Sequence, residues 1–198
     1  MFLTFEGLDG SGKTTQLELL RRHLEESGRD VVVTREPGGT ELGERIRELL
    51  LHGPDMTAWA EATLFAAARA ELVERVIGPA RERGADVLCD RYVDSSLAYQ
   101  GLARGLGLEP VLELNLAAVQ GVLPDRTFLL LVDPARASAR TGKRRDRIER
   151  EDDEFRARVD AAYRELAERF PERIVPIEAD GSPEEVADRV RGELQLAS

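Results

Sequence analysis

The sequence predicts an α/β protein in three layers, a five-stranded parallel sheet with helices on both faces. Three observations carry that expectation. Short apolar stretches of strand composition alternate with longer helical patterns, the order from which covered parallel sheets are built. A glycine-rich loop separates the first apolar stretch from the first helical one. No internal repeat or low-complexity linker interrupts the 198 residues, so a single domain, 1–198, accommodates the chain.

The elements follow in order. Met1 to Glu6 reads as a short buried strand, and Thr14 to Glu26 as a helix with Leu17, Leu20 and Leu24 along one stripe. Asp30–Thr34, DVVVT, is a second strand, followed by helical segments near Glu41–Leu51 and Ala58–Ile77. Asp86–Asp90 (DVLCD), Phe128–Asp133 (FLLLVD) and Arg173–Ile177 (RIVPI) supply three more strands, and a last helix runs from Pro183 to about Leu194. Pro/Gly clusters fall between these elements, where turns are needed.

Composition narrows the function. Hydrophobic residues at 42% and charged residues at 33% are ordinary for a soluble globular chain, and no apolar run approaches a membrane span of ~20 residues. The start, MFLTFEGLDG, lacks the basic and long apolar regions of a secretory signal, and the lone Cys89 precludes an intrachain disulfide. A reducing cytoplasm is the expected location. The formal net charge of -10 argues against a protein that coats nucleic acid. Anionic ligands must therefore be held by local cations. Only two lysines occur, Lys13 and Lys143, so a lysine inside the glycine loop marks a position that calls for a compact ammonium.

That loop, Gly7-Leu8-Asp9-Gly10-Ser11-Gly12-Lys13-Thr14, matches G-x-x-x-x-G-K-[ST] at every position. In such a loop backbone N–H groups wrap phosphates, Lys13 reaches the terminal ones, and the Thr14 hydroxyl serves Mg²⁺. The following helix adds its N-terminal dipole. The fold expectation thereby sharpens to a P-loop NTPase-like sandwich that binds a nucleotide. An N-K-x-D guanine-reading motif is absent, since Asn115, the single asparagine, lies in NLAA. The third strand ends Cys89-Asp90-Arg91, giving a metal-supporting carboxylate beside a cation but no adjacent glutamate to activate water.

These features favour transfer of phosphate to a second anion over hydrolysis. Two phosphorylated substrates repel each other, yet an acceptor phosphate oxygen is already charged and needs no strong base, so cations and positioning matter most. His23 and His52 have no partnered nucleophile in view. Arg91 falls at the carboxyl edge of the sheet, where ligands bind, and can grip an acceptor phosphate or pair with a neighbouring acid. Phe65 and Arg69 are four residues apart on one helix, a spacing that suits a nucleobase grip as well as ordinary packing. Residues 136–150 hold seven basic residues against Asp146 and Glu149, the composition of either a solvated helix face or a mobile lid that closes arginines over the reacting group.

Together the segments FEGLDGSGKTTQ, TREPGGT, LFAAARAELV, DRYVDSSLAYQG and DRIE resemble the thymidylate kinase family in the order they occur, over most of the chain. The resemblance implies ATP-dependent phosphorylation of dTMP to dTDP with Mg²⁺, in a homodimer paired through part of Ala58–Ile77. By the same resemblance, Asp9 would contact the deoxyribose 3′-OH, Phe65 would stack on thymine and Arg69 would bond its O4. Arg91 would hold the acceptor phosphate, Asp90 would support the metal with Thr14, and Glu36 would face the acceptor side. Ser96 and Gln100 would line the base pocket, while Tyr99 would fill the space a ribose 2′-OH needs. Pro37 is a candidate cis-proline. Some members carry a catalytic arginine directly after the loop aspartate; here that position is Gly10, which implies the bacterial type with the arginine in the lid. Arg147 in DRIE matches best, with Arg140, Arg144 and Arg145 as alternatives. The rival readings are a kinase of another small acceptor, separated by a substrate panel, and a regulatory module that binds nucleotide without turnover, separated by ADP production.

Overall fold

The computed structural model of the protein describes residues 1–140, 146–148 and 150–194. Five strands, β1 (Phe2–Glu6), β2 (Val31–Arg35), β3 (Asp86–Asp90), β4 (Arg126–Leu131) and β5 (Ile174–Glu178), form one sheet in the order β2-β3-β1-β4-β5. Every pairing is parallel. All five residues of β1 are buried, as expected for a central strand covered on both faces. Its neighbours β3 and β4 flank it on opposite sides, so their carboxyl ends open a crevice at the point where the chain changes direction across the sheet.

Helices α1 (Lys13–Glu26) and α9 (Pro183–Leu194) pack together, as do α2 (Glu41–His52) and α3 (Ala58–Leu72). Thr40 and Thr57 cap the latter two, accepting from the N–H groups of Gly43 and Ala60. The helix expected through Ile77 is not uniform. It passes into a π-helical turn at Val73–Ile77 before α4 (Gly78–Glu82). Pro79 has no N–H to donate and its ring crowds the carbonyl four residues back, which a widened turn relieves. A second π-helical stretch, Leu97–Ala103, continues α5 (Val93–Ser96) and carries Tyr99 and Gln100.

The remaining helices are α6 (Leu108–Ala118), α7 (Pro134–Arg140) and α8 (Asp153–Arg169). The fourth strand begins and ends two residues earlier than the apolar run FLLLVD suggests. Thr127 is fully buried there because its hydroxyl meets Thr4 at 2.8 Å and Asp94 at 3.0 Å, so a polar residue extends the strand without an unmet hydrogen bond. The second and fifth strands are each displaced by one residue from expectation, and the peptide before the candidate Pro37, Glu36–Pro37, is cis.

Candidate active site

The crevice at the carboxyl ends of the strands is a cavity of about 1260 Å³. The loop from β1 to α1 forms one wall. Gly7 and Gly10 have φ of 132° and 82°, and a side chain at either would strike backbone: a Cβ on Gly10 would lie 2.2 Å from the Ala137 carbonyl oxygen of α7. Asp9 to Thr14 line the cavity, whereas Gly7 and Leu8 stand behind, their carbonyls accepting from Lys13 Nζ at 3.2 and 2.9 Å. Burial, followed by the nearby positive charge of Arg91, lowers the Lys13 ammonium to about 8. Phosphate oxygens would relieve both costs.

Thr14 Oγ1 donates to Asp90 Oδ2 at 2.8 Å, bringing a hydroxyl and a carboxylate together where the phosphate loop ends. These hard oxygen donors fit Mg²⁺, which takes few protein ligands and completes its shell with phosphate and water. No group of three or more acidic, His or Cys residues suited to a metal occurs among the described residues.

Arg91 faces the other way. Its φ is 69°, a left-handed conformation that a non-glycine residue adopts at a cost, and its N–H donates to the Phe5 carbonyl at 3.0 Å. From that turn the guanidinium reaches Asp9 Oδ1 at 2.6 Å, the Tyr163 hydroxyl at 3.1 Å and Ser95 Oγ at 3.2 Å, with its central carbon 5.5 Å from the Tyr99 ring centroid. Burial is the largest influence on the Asp9 carboxyl and pushes it up, but the Arg91 and Lys13 charges outweigh it and hold it low. Beneath them Glu6, fully buried, accepts from the Tyr92 and Ser95 N–H groups at 2.7 and 3.1 Å and from the Ser95 and Tyr163 hydroxyls at 2.6 and 2.8 Å. Burial raises the Glu6 carboxyl, partly offset by Arg91.

The far end of the cavity is lined by Glu36, Phe65, Ser96, Tyr99 and Gln100. Arg69 lies behind this wall, only 1% exposed. It donates to Glu36 Oε2 at 2.5 Å, the Tyr92 carbonyl at 3.0 Å, Ser96 Oγ at 3.1 Å and the Asn115 side-chain oxygen. Of the five guanidinium N–H groups, one on Nη2 is left without a partner by these contacts. Glu36 Oε1 is buried without a hydrogen bond among the described residues, and burial, opposed by Arg69, raises its carboxyl to about 7. Gln100 Nε2 donates to Glu61 Oε1 at 2.8 Å.

In the segment read as a lid, Arg140 lines the cavity and comes within 3.5 Å of the Gly10 carbonyl oxygen. Arg147, expected to face the phosphates, instead donates to Glu61 Oε2 at 2.6 Å and to the Leu50 carbonyl at 2.8 Å. A buried carboxylate demands cationic partners, and Glu61 takes both Arg147 and Arg104. Residues 141–145, with Arg144 and Arg145, and Glu149 lie outside the described residues. Sequence reasoning missed Glu6, Glu61, Arg104 and Tyr163. Glu6 was detectable as an acid in the otherwise apolar FLTFE; for Tyr163 no local signal exists.

The thymidylate kinase family model matches residues 5–190. A thymidylate kinase of an Exiguobacterium species is 53% identical over 195 residues, covering 96% of this chain and 92% of its own. The thymidylate kinase of Chlorobaculum parvum is 45% identical over 207 residues, covering 98% and 95%. Among solved structures, thymidylate kinase from Ehrlichia chaffeensis superposes with a TM-score of 0.81 at 36% identity, covering 98% of both chains.

Proposed function

The chain belongs to the thymidylate kinase family, and from that premise we infer that it transfers the γ-phosphoryl group of ATP to dTMP, giving dTDP for dTTP synthesis. The observation that carries the reading is the opposed pair at residues 90 and 91. Asp90 meets Thr14 on the phosphate-loop side, while Arg91 turns to Asp9 on the other, so one cavity offers two anion sites back to back.

On the donor side, the loop N–H groups and Lys13 hold the ATP phosphates. Thr14 and Asp90 would hold Mg²⁺, which when bound neutralises phosphate charge and orients the terminal group. On the acceptor side, Arg91 exchanges Asp9 for the dTMP phosphate, and Asp9 turns to the 3′-OH of the same nucleotide. Ser95 and Tyr163, both tied to Glu6, keep the guanidinium aimed. The acceptor oxygen is ionised already, so the residues need only align it and screen the repulsion between two anions. His23 and His52 lie outside the cavity lining, in keeping with chemistry that uses no base.

Phe65 would stack on the pyrimidine, and Arg69, just behind the cavity wall, would present the one N–H left on Nη2 to its O4. Gln100 spends its amide N–H on the Glu61 carboxylate, which cannot donate in return, and so presents Oε1 to the N3–H of the base. Ser96 lines the same wall, Glu36 bounds the acceptor side, and Tyr99 beneath Arg91 closes the space for a 2′-hydroxyl. We assign the lid arginine, in the bacterial manner, to Arg140, which stands nearest the loop; Arg147 takes that role only by leaving Glu61. Arg140, Asp146 and Ile148, which line the cavity, would close over the site and exclude water.

A homodimer is supported by the exposed apolar side chains of Leu42, Leu49 and Trp59 on α2 and α3. We place the protein in the cytoplasm, a reading supported by the free thiol of Cys89; no described helix is long and apolar enough to cross a membrane. The test is ADP formation from Mg·ATP with dTMP, dUMP, dCMP, dGMP, AMP or no acceptor. Turnover led by dTMP is expected; preference for another acceptor overturns the substrate, and acceptor-independent ADP overturns the transfer itself.

A further inference from the structure

We infer that Glu61 is the positioning residue of the base pocket, a single carboxylate that orients the Gln100 amide and at the same time docks the cavity rim at 146–148. The inference rests on reading the cavity as the dTMP site. Glu61 sits in the first turn of α3, 1% exposed, and does not itself line the cavity.

Its two oxygens serve three side chains. Oε1 accepts from Gln100 Nε2 at 2.8 Å and Arg104 Nε at 2.7 Å, while Oε2 accepts from Arg104 Nη2 at 3.1 Å and Arg147 Nη2 at 2.6 Å. Two guanidiniums on one carboxylate leave a positive excess, which Glu151 meets through Arg104 at 2.9 Å. Burial is the strongest influence on the Glu61 carboxyl and pushes it up, but the hydrogen bonds from Arg104, Gln100 and Arg147 and the Arg104 charge outweigh it and hold it ionised.

The ionised state matters because a carboxylate only accepts. Gln100, 2% exposed in the pocket wall, must therefore turn its NH₂ inward and its carbonyl oxygen toward the base. Thymine and uracil bring a donor at N3, whereas neutral cytosine brings a lone pair that the same oxygen repels. A pocket built to hydrogen-bond a donor discriminates strongly against a ligand that lacks it. Pyrimidine choice is thus set one residue behind the wall, by a group that never meets the substrate.

The rim depends on the same group. Arg147 is held by Glu61 through its side chain and by the carboxyl end of α2 through its backbone, where its N–H donates to Leu51 O at 2.9 Å. Asp146 and Ile148, on either side, line the cavity. Loss of the carboxylate would release pocket wall and rim together.

The experiment is steady-state kinetics of Glu61→Gln, with dTMP, dCMP and ATP varied in turn. The variant keeps the shape but replaces one of the two acceptor oxygens with an NH₂ donor, so Gln100 is free to flip. We expect KM for dTMP to rise about tenfold, the preference for dTMP over dCMP to fall about tenfold, and KM for ATP to stay within about twofold. Glu61→Asp, which keeps the charge, should recover part of the selectivity. A merely structural role would lower thermal stability in both variants and leave the dTMP:dCMP ratio intact, and that result overturns the inference. Should Glu61→Gln not fold, Arg147→Met tests the rim: a higher KM for dTMP with unchanged selectivity supports the coupling, and an unchanged KM refutes it. Failure of the wild-type enzyme to use dTMP refutes the underlying substrate reading, whereas wild-type turnover with an indifferent Glu61→Gln refutes this inference alone.

Discussion

Replacing Lys13 by Met should abolish transfer and yet stabilise the nucleotide-free protein. Lys13 is 7% exposed, and burial together with the Arg91 charge lowers its ammonium from 10.5 to about 8. At ~1.4 kcal/mol per tenfold change in the proton equilibrium, holding that charge in the folded state costs about 3 kcal/mol at pH 7. The thioether of Met fills much of the same stem volume without the charge. Part of the gain is lost where the buried Gly7 and Leu8 carbonyls give up their donor, although Leu8 keeps the Ser11 N–H at 3.1 Å. A net gain of about 2 kcal/mol remains, which for a domain of this size raises Tm by roughly 4–8 °C. The sign of the pH dependence is also fixed. Below pH 8 the wild-type lysine is charged in both folded and unfolded states and the full cost applies. Between pH 8 and 10.5 the folded state sheds its proton first, so wild-type stability rises relative to the variant, and the gap closes above pH 10.5. Urea denaturation of both proteins without nucleotide, from pH 7 to 10.5, measures it. A variant no more stable than wild type at pH 7, or a gap independent of pH, refutes the reasoning.

Gly10→Ala should cost function beyond stability, because its Cβ would press on the Ala137 carbonyl at 2.2 Å in a left-handed backbone, displacing α7 from the loop. We expect ATP affinity to fall at least about tenfold by calorimetry, and an unchanged affinity would show that α7 moves freely. Arg140→Ala should lower kcat about 100-fold with little change in KM for dTMP, as loss of a charge-stabilising donor does, whereas Arg147→Ala should act mainly on KM for dTMP. Initial-rate measurements separate the two, and the opposite pattern would return the lid role to Arg147.

The strands and the phosphate loop were readable because their signals are local. DVLCD names β3 to the residue, and the strand–glycine–helix order gives the loop with its lysine and threonine, beside the aspartate that ends β3. Errors arose where distant partners decide. Thr127 enters β4 because Thr4, Asp94 and Arg173 satisfy its hydroxyl, and the π-helical turn at Val73–Ile77 follows a proline that an apolar stripe hides. The site divides in the same way. Arg91 was legible from its place after a strand, but the groups that aim it were not: Tyr163 and Glu6 are 157 residues apart, and Gln100 and Glu61 are 39 apart. Arg69 was anticipated on one face with Phe65, yet nothing in that spacing foretells a guanidinium shared among Glu36, Ser96, Asn115 and the Tyr92 carbonyl.

The left-handed turn at Arg91 sends consecutive side chains to opposite walls of one cavity, toward Thr14 and toward Asp9. The two side chains are therefore rooted one peptide link apart, about 3.8 Å between α-carbons. A gauge made of covalent bonds keeps its length when helices shift, when the sheet breathes and when temperature changes. Surrounding loops can lengthen or drift without changing the spacing at which the Asp90 and Arg91 side chains leave the backbone, provided that no residue is inserted or deleted between positions 90 and 91.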